Sequence, residues 1–278
     1  MKSTKTSLLV FSLFITLSFT LNAQTYNLSN PLFPSVNSLA EQSIGGFIGI
    51  GPNWQGGRHY VECADCYFED GTATGFTIGG IYQRKISSNF FYGGMISLDI
   101  MNISSTYREI ESIELTAEQS FSGEATNTNI EFRHSAEMNL TYIGFAPFIA
   151  YNPFSWISFR VAPKISIPLG SNIVHTKTPT SSEITIDGVT GRSPIIERTI
   201  QDSEVPDLTS PLFGSDLSLM FNLTPDENST FSIGYTQYVP FMETSSFGED
   251  FTINSWRAFI EFKYTLIGAY DNNPKSTR

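Results

Sequence analysis

Past its first two dozen residues this sequence has no run of about 20 apolar residues, the length a helix needs to cross a bilayer. Helical membrane spans are excluded. Basic residues are scarce: 16 Lys and Arg stand against 27 Asp and Glu, a formal net charge of −11. That balance makes nucleic acid an unfavourable partner. Cysteine is scarcer, with Cys63 and Cys66 alone, so there is no second pair with which to complete a cysteine metal site. Three histidines, His59, His134 and His175, leave little material for acid–base chemistry.

What is present leans towards β-structure. Aromatics make up 14% of the chain, with 23 Phe and 12 Tyr beside 21 Gly, a mixture that favours strands in tight lateral packing. Hydrophobic content is 40% and mean hydropathy −0.07, ordinary for a folded chain. Residues 1–23 have a basic start, an apolar core from Leu8 to Leu21 and a small residue at Ala23, the pattern of a cleavable export signal. Removing Lys2 and Lys5 with that segment leaves 14 basic against 27 acidic residues, or −13. Residues 24–43, with Pro31 and Pro34, show no sustained period and read as a lead-in.

The stretch that organises the rest is 73–102, read as two amphipathic strands joined at Ser87-Ser88-Asn89. Phe76, Ile78, Gly80 and Tyr82 share one face of the first arm, and Thr77, Gly79, Gln83 and Lys85 the other. In the second arm Phe90, Tyr92, Ile96, Leu98 and Ile100 alternate with Gly93, Ser97 and Asp99. The same period predicts further strands at 44–55, 138–151, 156–169, 216–223, 230–241 and 256–266. On 44–55, Ile44, Ile48, Ile50 and Trp54 point one way; on 138–151, Leu140, Tyr142, Ala146, Phe148 and Ala150 are expected to face lipid. The acidic segment Glu109 to Glu131 is too polar for a bilayer and reads as a projecting ribbon. The long insertion 170–211 contains two possible ribbon segments, at 183–186 and 195–200.

Eight strands result, with short turns at one end and long polar loops at the other. This predicts an all-β, antiparallel up-and-down transmembrane β-barrel with short periplasmic turns and long extracellular loops, occupying 44–266 and followed by a polar tail at 267–278. Over that span the alternation, export signal and loop asymmetry resemble the small eight-stranded outer-membrane barrels, OmpA-type and OmpX-type, and the exported barrel proteins of Bacteroidota. Phe68-Glu69-Asp70-Gly71 before Gly75-Phe76 is similar to the approach to the second strand in that group. The final strand, with Ile260, Phe262, Tyr264 and Leu266 alternating, resembles the signal read by the outer-membrane insertion machinery, although a polar tail follows it. The resemblance implies residence in the outer membrane of a Gram-negative bacterium. It also implies contact with lipid and lipopolysaccharide, and with that machinery during assembly.

The inward faces of these strands gather Lys85, Asp99, Arg160, Lys164, Asp216, Arg257, Glu261 and Lys263. Charges of both signs in a narrow lumen read either as a salt-bridged plug or as the lining of a narrow, porin-like pore for small solutes or ions. Cys63-Ala64-Asp65-Cys66 reads as a disulfide that stiffens the first loop, with a redox pair or a metal half-site as alternatives. His134 beside Ser135 invites comparison with hydrolases or acyltransferases whose sites sit on barrel rims. Neighbours on a strand face opposite ways, however, so the two cannot pair without a bulge. His59 and His175 are read as loop residues without partners. The expectation is a surface-interaction barrel with structural or adhesive duties, no catalytic residues, no metal and no cofactor; the sequence identifies no extracellular ligand.

Overall fold

The computed structural model describes residues 42–60, 67–115, 126–180, 183–186, 189–192, 197–224 and 229–266. Its strands are β1 (Gln42–Tyr60), β2 (Tyr67–Phe68), β3 (Thr72–Lys85), β4 (Phe90–Leu115), β5 (Thr126–Phe154) and β6 (Ile157–Pro179). They continue with β7 (Glu183–Ile186), β8 (Val189–Arg192), β9 (Arg198–Ser203), β10 (Leu212–Leu223), β11 (Ser229–Pro240) and β12 (Gly248–Thr265). The export signal, most of the lead-in, the tail and Cys63 with Cys66 fall outside the described residues.

Eight of these strands form an antiparallel ring in the order β1, β3, β4, β5, β6, β10, β11, β12. β12 returns to β1 from Ser43↔Thr265 onwards, and β10 closes against β6 from Leu212↔Ser166 to Phe221↔Ile157. Because consecutive side chains point to opposite faces, closure divides every strand into an inner and an outer set. The outer set is an apolar belt: Ile50 is 57% exposed, Ile96 55% and Phe145 56%. The belt spans 44–54 on β1, 90–100 on β4 and 256–264 on β12.

β5 corrects one expectation. Leu140, Tyr142, Ala146, Phe148 and Ala150 point inward and are buried, while Ile143, Phe145 and Ile149 form the outer set. Both sets are apolar, so hydropathy cannot choose between them, and a slip of one residue reverses every side chain. Size decides. The inner set includes Gly144, whose missing Cβ would stand 2.7 Å from both Lys164 Cε and Ser97 Oγ. A narrow lumen that holds long charged side chains needs such sockets: a Cβ on Gly79 would meet the Phe47 ring at 2.5 Å, and one on Gly75 the Arg257 guanidinium at 2.5 Å.

Three strands outrun the belt furthest. β4 and β5 remain paired from Ile100↔Thr141 up to Leu115↔Thr126, and β6 follows β5 as far as Phe132↔Pro179. The expected ribbon is therefore one wall of a prolonged sheet, to which β9 adds along β6 while β7 and β8 form a separate hairpin. A register shift beside Thr141/Tyr142 changes the parity of β6. Before it Ser158, Arg160 and Lys164 face inward, and after it Ile173 and His175 do. The last strand also begins earlier than expected, at Gly248.

The interior is filled by two apolar clusters. One, towards the short turns, is built on Phe47, Ile81, Phe91, Met95, Phe148 and Phe259. The other, towards the long loops, is built on Phe68, Met101, Met138, Leu140, Tyr142 and Phe251.

Candidate functional site

The charged inner residues form two groups set against these clusters. In the first, Lys164 Nζ lies 3.0 Å from Asp99 Oδ2 and 3.2 Å from Asp216 Oδ2. Asp99 also accepts hydrogen bonds from Thr77 Oγ1 at 2.8 Å and Ser97 Oγ at 2.7 Å. Arg257 donates to Asn53 Oδ1 at 2.7 Å and to the carbonyls of Gly51, Pro52 and Trp256 at 2.9–3.2 Å. In the second, Arg160 Nη1 lies 2.8 Å from Glu261 Oε2, and Lys263 Nζ lies 2.7 Å from Glu261 Oε1. The Arg160 guanidinium sits between the rings of Phe148 and Phe259, 5.2 and 5.5 Å from their centroids, where their negative faces favour it. Lys85, at the short-turn end, is half-buried and makes no ion pair with a described residue.

Removing such ions from water costs several kcal/mol each unless pairing and hydrogen bonds offset it, and here nearly every one meets an opposite charge or a carbonyl. The space left among Asp99, Arg160, Lys164, Asp216 and Arg257 is a cavity of about 30 Å³. That is room for a water molecule, not for a solute.

A second constellation lies beyond the belt, inside the prolonged sheet. His134 on β5 stands across from Tyr107 on β4 and from Lys177 on β6. Its ring stacks on Tyr107, with centroids 4.6 Å apart and planes 8° apart. Nδ1 of His134 lies 3.0 Å from Nε2 of His175, and Nε2 of His134 lies 3.4 Å from Glu111 Oε1 without forming a hydrogen bond. Glu111 is held from its other oxygen by Lys177 Nζ, which itself lies over the Phe132 ring. Phe68 closes the group, packed edge-on against both Tyr107 and His175.

Burial governs the proton affinities here, because a charged ring loses its water. His175 is pushed down to about 4, first by burial and then by His134 and Lys177. His134 is lowered by burial and Lys177, against an opposing pull from Glu111. Tyr107 is raised to about 12 by burial and by Glu109 and Glu111. His59 is separate: it packs against Phe251 and Phe247, and burial alone lowers it to about 4. None of the three histidines is a solvated loop residue, which corrects the sequence expectation; each is at most 5% exposed.

Ser135 follows His134 on the strand and takes the opposite face, so the two do not pair. Tyr107, Glu111 and Lys177 are not among the sequence candidates, and His175 is read there as a loop residue without a partner. Extending the odd-numbered inner parity of β4 from Asp99 would have found Tyr107, Glu109 and Glu111. For His175 no comparable signal exists, since the β6 register shift precedes it.

No protein-family model matches the chain, and no curated protein does either. Solved structures do. Ail of Yersinia pestis, solved with the heparin analogue sucrose octasulfate, is 12% identical over 81% of this chain and 98% of its own, with a TM-score of 0.31. Neisserial surface protein A is 8% identical over 82% and 98%, at 0.36. The outer membrane protease OmpT of Escherichia coli is 13% identical over 84% and 100%, at 0.28. Similarity this distant assigns none of their functions to the present chain.

Proposed function

We propose that this chain is an integral outer-membrane β-barrel without catalytic duty, sealed along its lumen, whose working surface is the prolonged sheet and its loops. The observation that carries the reading is the closed eight-stranded ring with its apolar residues outside and its ions inside. A soluble barrel would invert that order, because an exposed apolar belt in water far exceeds the patch a monomer tolerates. In hydrocarbon the order is required, and closure satisfies every backbone group that lipid cannot. Aromatics border the belt at both levels, as interfacial girdles do. Trp156 stacks with Phe154 and Phe221 near the short turns, and Tyr235 packs on Trp256 towards the loops.

A surface role fits the distribution of charge. Of 27 acidic residues, 20 lie in the four stretches 56–74, 102–138, 170–211 and 241–254, with only six of the 16 basic ones. That field favours cationic partners and repels polyanions. Contact of the apolar belt with membrane lipid and the acyl chains of lipopolysaccharide, and with the insertion machinery during assembly, belongs to the outer-membrane reading, as do the export signal and the Cys63–Cys66 disulfide.

Membrane fractionation followed by electrophoresis with and without boiling tests the assignment. A heat-dependent shift in the outer-membrane fraction is expected; a periplasmic or secreted protein with no shift would falsify it. In planar bilayers the folded protein should be electrically silent. Steady single-channel conductance would instead make the charged lumen a pore.

A further inference from the structure

We infer that the inner face of the prolonged sheet carries a binding site for one divalent transition-metal ion of zinc type, with His134 Nε2 and carboxylate oxygens of Glu109 and Glu111 as its protein ligands. These ligand atoms lie within 4.8 Å of one another, the spacing of donors that can close on a single ion. Strand geometry produces the convergence. Glu109 and Glu111 follow Tyr107 at alternate positions of β4, hence on one face, and His134 stands opposite Tyr107 on β5.

Carboxylates alone would argue nothing, since acidic residues cluster without ions. His134 supplies what they lack. Its side chain is 6% exposed, and its Nε2 has no hydrogen-bond partner although it points towards Glu111 Oε1 at 3.4 Å. Its other nitrogen is held by His175 Nε2 at 3.0 Å, and its ring plane is fixed by Tyr107. When Nδ1–H is the donor to His175, Nε2 turns a lone pair towards the carboxylate oxygens. That lone pair and the oxygens of half-buried Glu111 and exposed Glu109 repel one another unless a cation lies among them, and Lys177 meets only Oε2 of Glu111. A ligating imidazole held by a hydrogen bond through its second nitrogen is the usual outer-shell arrangement of metal sites.

One imidazole and two carboxylates, with no sulfur, suit zinc or a neighbouring divalent metal, with water completing the coordination. Glu109 is exposed, so the ion can reach the site from the loop side. Lys177 is the natural competitor. Its ammonium occupies Glu111 Oε2, leaving Oε1 towards His134. Metal binding must overcome that neighbouring charge, so removing it should strengthen the site.

The test uses the full chain folded in detergent, stripped with EDTA and titrated with Zn²⁺ alone at pH 7.5 by isothermal calorimetry. It needs no membrane, so its failure is separable from failure of the outer-membrane reading. One saturable equivalent is expected, at least tenfold weaker in Glu111→Gln and in His134→Phe, and severalfold tighter in Lys177→Met. Glu111→Gln keeps the size of the side chain and serves if His134→Phe fails to fold. His175→Phe should weaken binding by about 10–100-fold through loss of the outer-shell partner. Absence of saturable binding, or binding that both ligand variants leave unchanged, overturns the site. An affinity unmoved by Lys177→Met removes Glu111 from the ligand set.

Discussion

Within the belt the interior holds seven buried charges, Asp99, Arg160, Lys164, Asp216, Arg257, Glu261 and Lys263, and each meets an opposite charge or a carbonyl. Towards the long loops it holds three buried histidines whose rings keep four nitrogens without a hydrogen-bond partner. The first arrangement pairs its charges, although Arg160 Nε and Arg257 Nε keep no hydrogen-bond partner, and leaves a cavity of about 30 Å³. The second keeps capacity in reserve. A barrel interior surrounded by its own apolar belt has to neutralise its ions internally, whereas the prolonged sheet stands clear of the belt and can leave groups for something to bind. On the proposed reading the charged lumen is structural, and the histidine region is where groups are left for a ligand.

Removing one member of the ion pairs should test that division most severely. Glu261→Leu strands Arg160 between Phe148 and Phe259 and leaves Lys263 with Gln83, and truncating one partner of a buried pair costs about 3–5 kcal/mol. Urea unfolding of the protein from lipid vesicles should show a loss of that order. The double variant Arg160→Met with Glu261→Leu should recover most of it. A neutral Glu261→Leu would mean that the lumen is wet enough to hydrate the stranded cations, and the contrast between the two halves would collapse.

The next effect belongs to the histidine half. His59 has a folded pKa near 4, below its ordinary 6.5, so the fold prefers the neutral ring. Its contribution is therefore intact above about pH 6.5 and is lost as pH falls towards 4, reaching about 3 kcal/mol. Unfolding midpoints at pH 7.5 and 4.5 should differ accordingly. His59→Phe, which suits the Phe247 and Phe251 surroundings, should remove its share of the difference. An undiminished pH dependence in that variant would assign the whole effect to other groups.

A smaller test separates inner from outer small residues. A Cβ at Gly144 would stand 2.7 Å from Lys164 Cε and 3.2 Å from Asp99 Oδ2, whereas one at Gly94, on the belt, meets nothing closer than 3.7 Å. Gly144→Ala should cost about 1–3 kcal/mol of overpacking, and Gly94→Ala should be close to neutral. Equal costs would show that backbone freedom, not the socket, explains glycine in these strands.

These sites also mark how far the sequence could be read. Strands with one apolar and one charged face, such as Ile157 to Ser166, placed Arg160 and Lys164 inward without ambiguity. β5 defeated the same reasoning because Leu140 and Tyr142 alternate as regularly as Ile143 and Phe145, and only neighbours on β4 and β6 show which set must be small. The reach of β4 and β5 beyond the belt was legible as an acidic ribbon, but its buried inner face was not. Phe132, His134 and Tyr107 become interior only because β6 and β2 close over them. His175 depended on a register shift that no local pattern announces.

The smallest expected effect is the most direct control on the comparison. Arg58 pairs with Glu69 at 2.5 Å and Glu249 at 3.4 Å, and its guanidinium lies over the Tyr67 ring at 4.5 Å. By distance alone this cluster outdoes Arg160 with Glu261. It sits in water, however, where hydration and screening already satisfy each charge, so Arg58→Ala should leave the unfolding midpoint unchanged within error. If that variant destabilised the barrel as much as Glu261→Leu does, short distances would be enough to explain the lumen network. If it is silent while Glu261→Leu is severe, what counts is the absence of water around the ions inside the belt, the same absence that a sealed lumen requires.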